Sequence, residues 1–270
     1  MKHISSLKNI ELKKLQSLLN KSKERKKNCL FVIEGEREVQ KALQANYIIQ
    51  KIYIEEGSIE CLKKIKSEAQ LIPIISVKRE AFKKITRRSG SEKILALAKS
   101  KTHNLDELKL SDNSLLLVIE APEKPGNIGA IFRTAVASKM DAIIVANSRT
   151  DFYNPNSIRS SLGSIFLIQT ALASSKEIIS FLNKKSFNIG TAVISKDSIN
   201  YDCYDFKTPC AIILGAENSG LHNCWLQSNN QKLIIPMSEE IDSLNLSVSA
   251  GILMYEARRK NSIVENKTIV

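Results

Sequence analysis

Three short stretches of the chain carry polar side chains close to a strand end or a helix start, where an anionic group such as a phosphate could bind. EAPEKPGNIGAIFRTA contains Asn127 and Arg133, ILGAENSGL contains Glu217, and SLNLSVS contains Ser243 and Asn245. The first stretch follows a strand-like run and opens a helix, a place where parallel sheets bind ligands and where helix N-terminal amides favour anions. Taken singly, the stretches fit plainer interpretations: a capped helix with a surface arginine, a strand-to-loop turn and a polar helix start.

Nucleophilic and metal-dependent chemistry is disfavoured. None of the three histidines lies beside an obvious nucleophile, which argues against a Ser-His-Asp or Cys-His enzyme. The five cysteines form no C-x-x-C pair. We therefore expect reduced core thiols and neither a disulfide framework nor a zinc site or other metal.

The second stretch resembles a phosphate-binding loop in part. Gly215 and Gly220 have the G-x-x-x-x-G spacing, but Leu221 and His222 stand where a Walker loop needs Lys and Ser or Thr. No G-x-G-x-x-G follows a strand-like run, so the common dinucleotide interpretation also fails. The glycines still indicate a backbone that something approaches closely. A phosphate-handling nucleotide enzyme remains one alternative function, which ATP binding would test.

The charge distribution indicates a polyanionic partner. The 270-residue chain has a net charge of +12, of which residues 1–28 supply +7 from nine Lys or Arg against two Glu. Among polyanions, nucleic acid is favoured over a membrane surface. No apolar run approaches the roughly 18 residues of a membrane span, so no spanning segment is predicted. The first ten residues have no apolar h-region, so we expect a cytoplasmic protein. A basic arm that only aids solubility is the alternative.

Aliphatic runs alternate with helix-like segments along most of the chain, which is typical of an α/β fold. The predicted strands are 30–35, 51–55, 72–77, 94–98, 115–120, 142–146, 165–169, 189–194, 211–215 and 233–236. The predicted helices are 5–27, 36–45, 59–66, 79–85, 128–138, 157–162, 175–183 and 246–260. From residue 115 onward the aliphatic runs favour strands buried on both faces of a parallel sheet.

A polar, turn-rich segment at 101–113 divides the chain. The predicted organisation is a basic helical extension (1–28), a small α/β domain (29–100), this linker, a parallel-sheet α/β domain (114–262) and a short tail (263–270).

In this order, the three motifs resemble the signature of the SpoU (TrmH-like) RNA ribose 2′-O-methyltransferases of the SPOUT superfamily. The matching segments are PGNIGAIFRTA, ILGAENSGL and IPMSEEIDSLNLSVSAGILMYE, within about residues 114–260. Residues 29–98 resemble the small RNA-binding substrate domain that often precedes such a domain. The resemblance implies a trefoil knot in the C-terminal domain, S-adenosylmethionine bound in the knot, and a homodimer. It implies structured RNA as the substrate, ribosomal RNA ahead of transfer RNA.

The resemblance also assigns roles to residues. Those for catalysis are Arg133, Asn127, Asn245, Ser243 and Glu217, and those for the cofactor are Gly215, Ile235, Leu244, Leu214 and Met237. In the family an Arg of the first motif is assigned to deprotonate the hydroxyl. Because a guanidinium stays protonated, we expect Arg133 to hold phosphate and the developing oxyanion.

RNA contacts are predicted at Arg159, Lys26, Arg87 and Arg88. A non-catalytic RNA-binding protein that retains the fold is the other alternative function. The intact Arg133, Asn127 and Asn245 argue against it. Lys124 and Asn218 depart from the usual family pattern, and neither the target RNA nor the target nucleotide follows from the sequence.

Overall fold

A computed structural model describes residues 1–65, 71–87, 92–226 and 230–267. Contacts divide the chain into two compact units. Unit 1 comprises residues 1–102 and 151–167, and unit 2 comprises residues 103–150 and 168–270. The domain boundaries predicted above follow sequence position, whereas these units follow contacts, and the boundaries remain predictions.

Unit 1 is built on a five-stranded mixed sheet. Its strands are β1 (Lys2–Ile4), β2 (Leu30–Glu34), β3 (Ile49–Glu55), β4 (Ile74–Val77) and β5 (Ile94–Lys99). They stand in the order β1-β4-β3-β5-β2, with β1, β4 and β3 parallel and β5 antiparallel to β3 and β2. The four predicted strands of this region are confirmed. The sequence missed β1, because three residues are too few to show a periodic pattern.

Four α-helices accompany this sheet in the described residues 1–65 and 71–87. They are α1 (Ile10–Asn20), α2 (Ser22–Asn28), α3 (Glu36–Gln44) and α4 (Arg79–Ile85). The predicted helix at 59–66 is present as a 3₁₀ helix, Ile59–Ile65. The basic extension is amphipathic: Leu12, Leu15, Leu18 and Leu19 of α1 are buried in the same core as residues of α4. Its lysines therefore stand on a helix that the core holds in place.

The segment 151–167 folds with unit 1. It contains the short α-helix Pro155–Ser160 and a 3₁₀ turn, Ser164–Phe166. The predicted strand at 165–169 is therefore wrong. The ring of Phe166 packs against those of Tyr47 and Phe31, with centroids 5.0 and 6.0 Å away. A short apolar run can be buried by a turn as well as by a strand, and periodicity does not distinguish the two.

Unit 2 is built on a seven-stranded sheet in which every pair is parallel. Its strands are β6 (Leu115–Glu120), β7 (Ala142–Ala146), β8 (Gln169–Ala173), β9 (Asn188–Ala192), β10 (Ile199–Asn200), β11 (Cys210–Leu214) and β12 (Gln231–Ile234). Their order is β10-β12-β9-β11-β6-β7-β8. The predicted parallel α/β architecture is confirmed, and the trefoil knot stays a prediction.

Three longer helices belong to unit 2: α5 (Pro125–Ala137), α6 (Ser175–Lys184) and α7 (Leu246–Lys267). A short α-helix, Asn223–Leu226, follows the loop after β11. Helix α5 begins earlier than predicted because Pro125 takes its first position, where the fixed φ of proline suits a helix start. No helix among the described residues is long and apolar enough to span a bilayer.

Candidate active site

A cavity of about 550 Å³ lies in unit 2 at the carboxyl ends of β9, β11 and β12. Ligands of open parallel sheets bind at this edge, and the volume falls within the roughly 300–1,000 Å³ of small-molecule sites. Much of its lining is aliphatic, including Leu214, Leu221, Leu233, Ile235, Leu244 and Leu246. Polar groups from Lys124, Glu217, Asn218, Ser243, Asn245 and Ser249 also line it. A ligand with an apolar body and a few polar groups fits such a wall.

All five residues predicted to contact the cofactor line this one cavity. They are Gly215, Ile235, Leu244, Leu214 and Met237. They come from the end of β11 with the loop after it and from the long connection between β12 and α7. Two segments that are distant in sequence thus form one concave surface, while the role of each residue toward a cofactor stays a prediction.

The loop after β11 folds back on itself at Gly215. A Cβ atom there would lie 2.5 Å from the carbonyl carbon of Gly220 and 2.7 Å from the nitrogen of Leu221. The backbones of Ala216 and Gly220 exchange two hydrogen bonds of 2.9 and 3.0 Å that hold this close approach. The glycines indicated a backbone that another group approaches closely, and in the structure that group is the backbone of the same loop. The folded loop forms one wall of the cavity.

Three of the predicted catalytic side chains form a chain of hydrogen bonds. Asn245 Nδ2 donates to Asn127 Oδ1 at 3.2 Å, and Asn127 Nδ2 donates to Glu217 Oε1 at 2.8 Å. At the other end, Asn245 Oδ1 accepts from the backbone nitrogen of Ser247 at 2.9 Å, so Asn245 caps α7. Asn127 does not cap α5, since it is the third residue of that helix.

The direction of this chain is fixed by its ends. A backbone N–H can only donate, so Asn245 must turn its oxygen to α7 and its NH₂ to Asn127, and Asn127 must turn its NH₂ to Glu217. Partial burial raises the pKa of Glu217. The hydrogen bonds from Asn127 and from backbone amides, with the charge of Lys124, outweigh that effect and hold the pKa below its usual range. The carboxylate is thus ionised and accepts, as the chain requires.

A second carboxylate, Glu123, extends the network into the loop before α5. Its backbone nitrogen donates to Glu217 Oε2 at 3.4 Å, and its own carboxylate accepts from Asn218 Nδ2 at 3.0 Å and Arg149 Nη1 at 2.6 Å. No role was predicted for Glu123 from the sequence. Its position beside Pro125 in the first motif was the available signal, but its partners lie 26 and 95 residues away.

A third carboxylate lies behind the two motif loops. Glu120, at the end of β6, is 4 % exposed. It accepts hydrogen bonds from Asn147 Nδ2 (2.7 Å), Ser175 Oγ (2.5 Å) and Trp225 Nε1 (2.7 Å). Trp225 belongs to the short helix that follows the Gly215–Leu221 loop. Its bond to Glu120 therefore connects the end of that loop to β6, the strand that precedes the first motif.

The remaining predicted residues lie in different places. Arg133 is exposed on α5, does not belong to the cavity lining, and has no hydrogen-bond or ion-pair partner among the described residues. Ser243 lines the cavity. In unit 1, Lys26 is exposed on α2, while Arg87 and Arg159 line a small concavity together. Arg88 lies outside the described residues.

Helix α5, which carries Asn127 and Arg133, is fastened at its far end by α7. Arg258 Nε donates to the carbonyl oxygen of Ser138 at 3.0 Å, and its Nη2 donates to that of Lys139. Cationic donors at a helix C-terminus satisfy its free carbonyls and suit its dipole. Both ends of α5 are therefore bonded to α7 or to the residue that precedes it.

No group of three or more His, Cys, Asp or Glu side chains that could hold a metal occurs in the part of the chain that the structure describes. Cys210 is buried, and burial raises the pKa of its thiol to about 12. The expectation of core thiols is wrong for Cys29 and Cys203, which are exposed.

Two family models match the chain. The model of the SpoU rRNA Methylase family matches residues 114–255, and that of the MRM3-like substrate binding domain matches residues 9–96. The chain is 30% identical over 260 residues to the 23S rRNA (guanosine(2553)-2'-O)-methyltransferase RlmP of Bacillus subtilis, covering 96% of this chain and 100% of that protein.

Solved structures agree with this match. The crystal structure of an RNA 2'-O ribose methyltransferase is 33% identical with a TM-score of 0.81, covering 96% of this chain and 99% of the other. The AdoMet-bound rRNA methyltransferase from Sinorhizobium meliloti is 25% identical with a TM-score of 0.87, covering 96% and 97%. The chain belongs to the SpoU rRNA methylase family.

Proposed function

We propose that this protein transfers the methyl group of S-adenosylmethionine to a ribose 2′-hydroxyl of large-subunit ribosomal RNA. The observation that carries the proposal is the directed chain Asn245–Asn127–Glu217 at the wall of a cavity of about 550 Å³. Family membership and the names of the relatives support the reaction and the class of RNA.

The cavity suits the proposed cofactor. Its aliphatic wall can hold the adenosine, while loop backbone at Gly215, Ile235 and Leu244 can bond the polar edges. The bound cofactor supplies an electrophilic methyl on a sulfonium. The part of the protein is to position the ribose, since much of the rate depends on an in-line approach of the hydroxyl oxygen to the methyl group.

We assign the reacting hydroxyl to the region between Asn127 and Arg133. The hydrogen-bonded amides keep the start of α5 in register with the start of α7, Glu217 accepts from Asn127, and Ser243, close in sequence to Asn245, lines the cavity. Arg133, free of protein partners among the described residues, has its five N–H donors available for the phosphate and for the oxygen as its proton leaves.

We also propose a homodimer. Val248 and Tyr255, seven residues apart on one side of α7, are 49% and 53% exposed, which favours a partner on that face. Light scattering would give the mass. A ribosomal RNA substrate also favours a cytoplasmic location. Arg159, Arg87 and Lys26 are proposed to contact the RNA.

The decisive experiment follows radioactive methyl from S-adenosylmethionine into ribosomal RNA from cells that lack this protein. We expect label in 2′-O-methylribose of the large-subunit RNA. Arg133→Ala should abolish transfer and leave cofactor affinity nearly unchanged, with Arg133→Lys between the two. A folded protein that binds the cofactor and RNA but labels nothing would support the non-catalytic alternative. Calorimetry with ATP tests the nucleotide-enzyme alternative, and we expect no binding.

A further inference from the structure

Helices α1 and α4 of unit 1 lie side by side. Leu12, Leu15 and Phe82 share one buried core, and Gln16 Nε2 donates to the backbone oxygen of Lys84 at 3.3 Å. The inner sides of both helices are therefore occupied by packing, and their outer sides stand next to each other on one surface.

The lysines of these outer sides have no carboxylate partners. Lys13 and Lys14 of α1 and Lys83 and Lys84 of α4 are exposed, and none forms an ion pair with another described residue. Other lysines of unit 1 differ in this respect. Lys2 and Lys51 pair with Glu11, Lys93 pairs with Glu55, and Lys78 pairs with Glu80. The described carboxylates of unit 1 therefore neutralise several lysines but none of the four on the outer sides of α1 and α4.

The chain after α4 adds two arginines from distant parts of the sequence. Arg87 Nη1 lies 3.5 Å from Asn156 Oδ1, and Arg87 and Arg159 line the same concavity. Both arginines are exposed. Glu34 lies in this concavity too, and its carboxylate accepts a bond from the backbone nitrogen of Arg87.

Unneutralised lysines beside guanidinium groups fit a phosphodiester backbone, because each can replace a counterion of one phosphate. A bilayer fits less well. An interfacial helix needs an apolar face to insert, and the apolar face of α1 is already buried in the core.

We propose that Lys13, Lys14, Lys83, Lys84, Arg87 and Arg159 form one docking surface for the backbone of the RNA substrate, an inference that rests on the proposed function. The segment 151–167, although it follows β7 of the methyl-transfer unit in sequence, supplies Arg159 to an RNA-binding surface of unit 1. This surface provides affinity without reading sequence, since phosphates carry none.

The test compares three variants. In the lysine variant, Lys13, Lys14, Lys83 and Lys84 are changed to Gln, and in the arginine variant Arg87 and Arg159 are changed to Gln. In the control variant four exposed lysines of unit 2 are changed to Gln: Lys109, Lys176, Lys184 and Lys207. The probe is an in vitro transcript of large-subunit ribosomal RNA, and its Kd is measured from 50 to 300 mM salt. Each lost phosphate contact lowers the slope of log Kd against log salt by about 0.7–0.9. We expect a slope about 2–3 smaller for the lysine variant, about 1–2 smaller for the arginine variant, and little change for the control.

Two further readouts keep the conclusion clear. Cofactor affinity should match the wild type, which shows that the cavity of unit 2 is intact, and circular dichroism should give a matching melting curve for each variant. Slopes like the control's in both test variants would overturn the docking surface even if the wild type methylates RNA. A wild type that binds RNA without methylating it would instead overturn the proposed function. Loss of binding to phosphatidylglycerol vesicles with unchanged RNA binding would assign the surface to a membrane.

Discussion

The side-chain amides of Asn127 and Asn245 lie head to tail, with Nδ2 of Asn245 donating to Oδ1 of Asn127 across 3.2 Å. One amide belongs to the first turn of α5 and the other caps α7, 118 residues later. The oxygen of Asn245 accepts from the backbone nitrogen of Ser247, and the oxygen of Asn127 accepts from Asn245. Rotating either amide by 180° would therefore place two donors or two acceptors face to face. The start of α5 is thereby fixed in relation to the start of α7.

Asn127→Asp should impair this arrangement in a pH-dependent way. The new carboxylate would face Glu217 Oε1, now 2.8 Å from the amide nitrogen, and two carboxylates at that distance share a proton only when the pKa of one rises. We expect the rate of transfer to fall on the order of 100-fold at pH 8, the size of losing one positioned donor. Part of the activity should return toward pH 6, where the shared proton restores a donor.

The measurement is kcat between pH 5.5 and 9 at saturating RNA and cofactor. Asn113→Asp, in an exposed turn, is the control and should keep the wild-type profile. A profile for Asn127→Asp that is lowered equally at every pH would refute the shared-proton explanation.

Gly215→Ala should weaken cofactor binding. The added methyl would lie 2.5 Å from the backbone of Gly220, which cannot move aside as a flexible side-chain end can. Overpacking of this kind costs about 1–3 kcal/mol, so we expect the Kd for S-adenosylmethionine to rise about 10- to 100-fold. Calorimetry measures it. Gly251→Ala is the matched control, because its methyl would meet only Thr134 Cγ2 at 3.8 Å; equal affinities for the two variants would contradict the account of the loop.

Much of the fold could be predicted from local patterns. Strands β6, β7 and β11 are continuous aliphatic runs that are fully buried, and such runs identify buried parallel strands at once. The run at 165–169 failed because Phe166 is buried by the aromatic cluster of unit 1 and not by a sheet. Nothing local distinguishes the two situations.

The residues of the candidate site could be predicted from the sequence, but the hydrogen bonds among them could not. The motifs identified Asn127, Glu217 and Asn245, yet the contacts among them span 90 and 118 residues, and hydrogen-bond partners at such separations follow from the fold. The same holds for Arg25 and Asp151, a buried ion pair 126 residues apart at 2.5 Å. Arg25 looked like one more basic residue of the N-terminal arm, and it is a structural anchor.

Glu120→Ala should destabilise unit 2. It would remove the carboxylate that accepts from the buried Ser175 Oγ and Trp225 Nε1 and from Asn147 Nδ2, at a cost of about 3 kcal/mol or more. Trp225 is the chain's single tryptophan, so its fluorescence during urea unfolding reports this unit directly. Asp112→Ala, in an exposed turn, is the control. An unfolding midpoint shared by both variants would mean that the buried network contributes nothing to stability.

Glu11 should make the attachment of β1 and α1 to unit 1 depend on pH. Its carboxylate pairs with Lys2 and with Lys51 (2.9 Å) and accepts from the hydroxyl of Tyr53, and the hydrogen bonds from Lys2 and Lys51 lower its pKa from 4.5 to about 2. A depressed carboxylate pKa stabilises the folded state above pH 4.5, and this contribution disappears as the pH falls from 4.5 to 2.

Glu11→Gln should therefore cost about 1–2 kcal/mol at pH 6, after allowance for solvent screening of the two lysines, and almost nothing at pH 2. Hydrogen exchange of the Lys78 amide, which donates to the carbonyl oxygen of Ile4 in β1, reports the opening of this edge. Glu60→Gln, at an exposed carboxylate 3.9 Å from Lys63, should show no comparable pH dependence. A Glu11→Gln difference that stays constant or grows toward pH 2 would show that the carboxylate's charge is not what holds β1 in place.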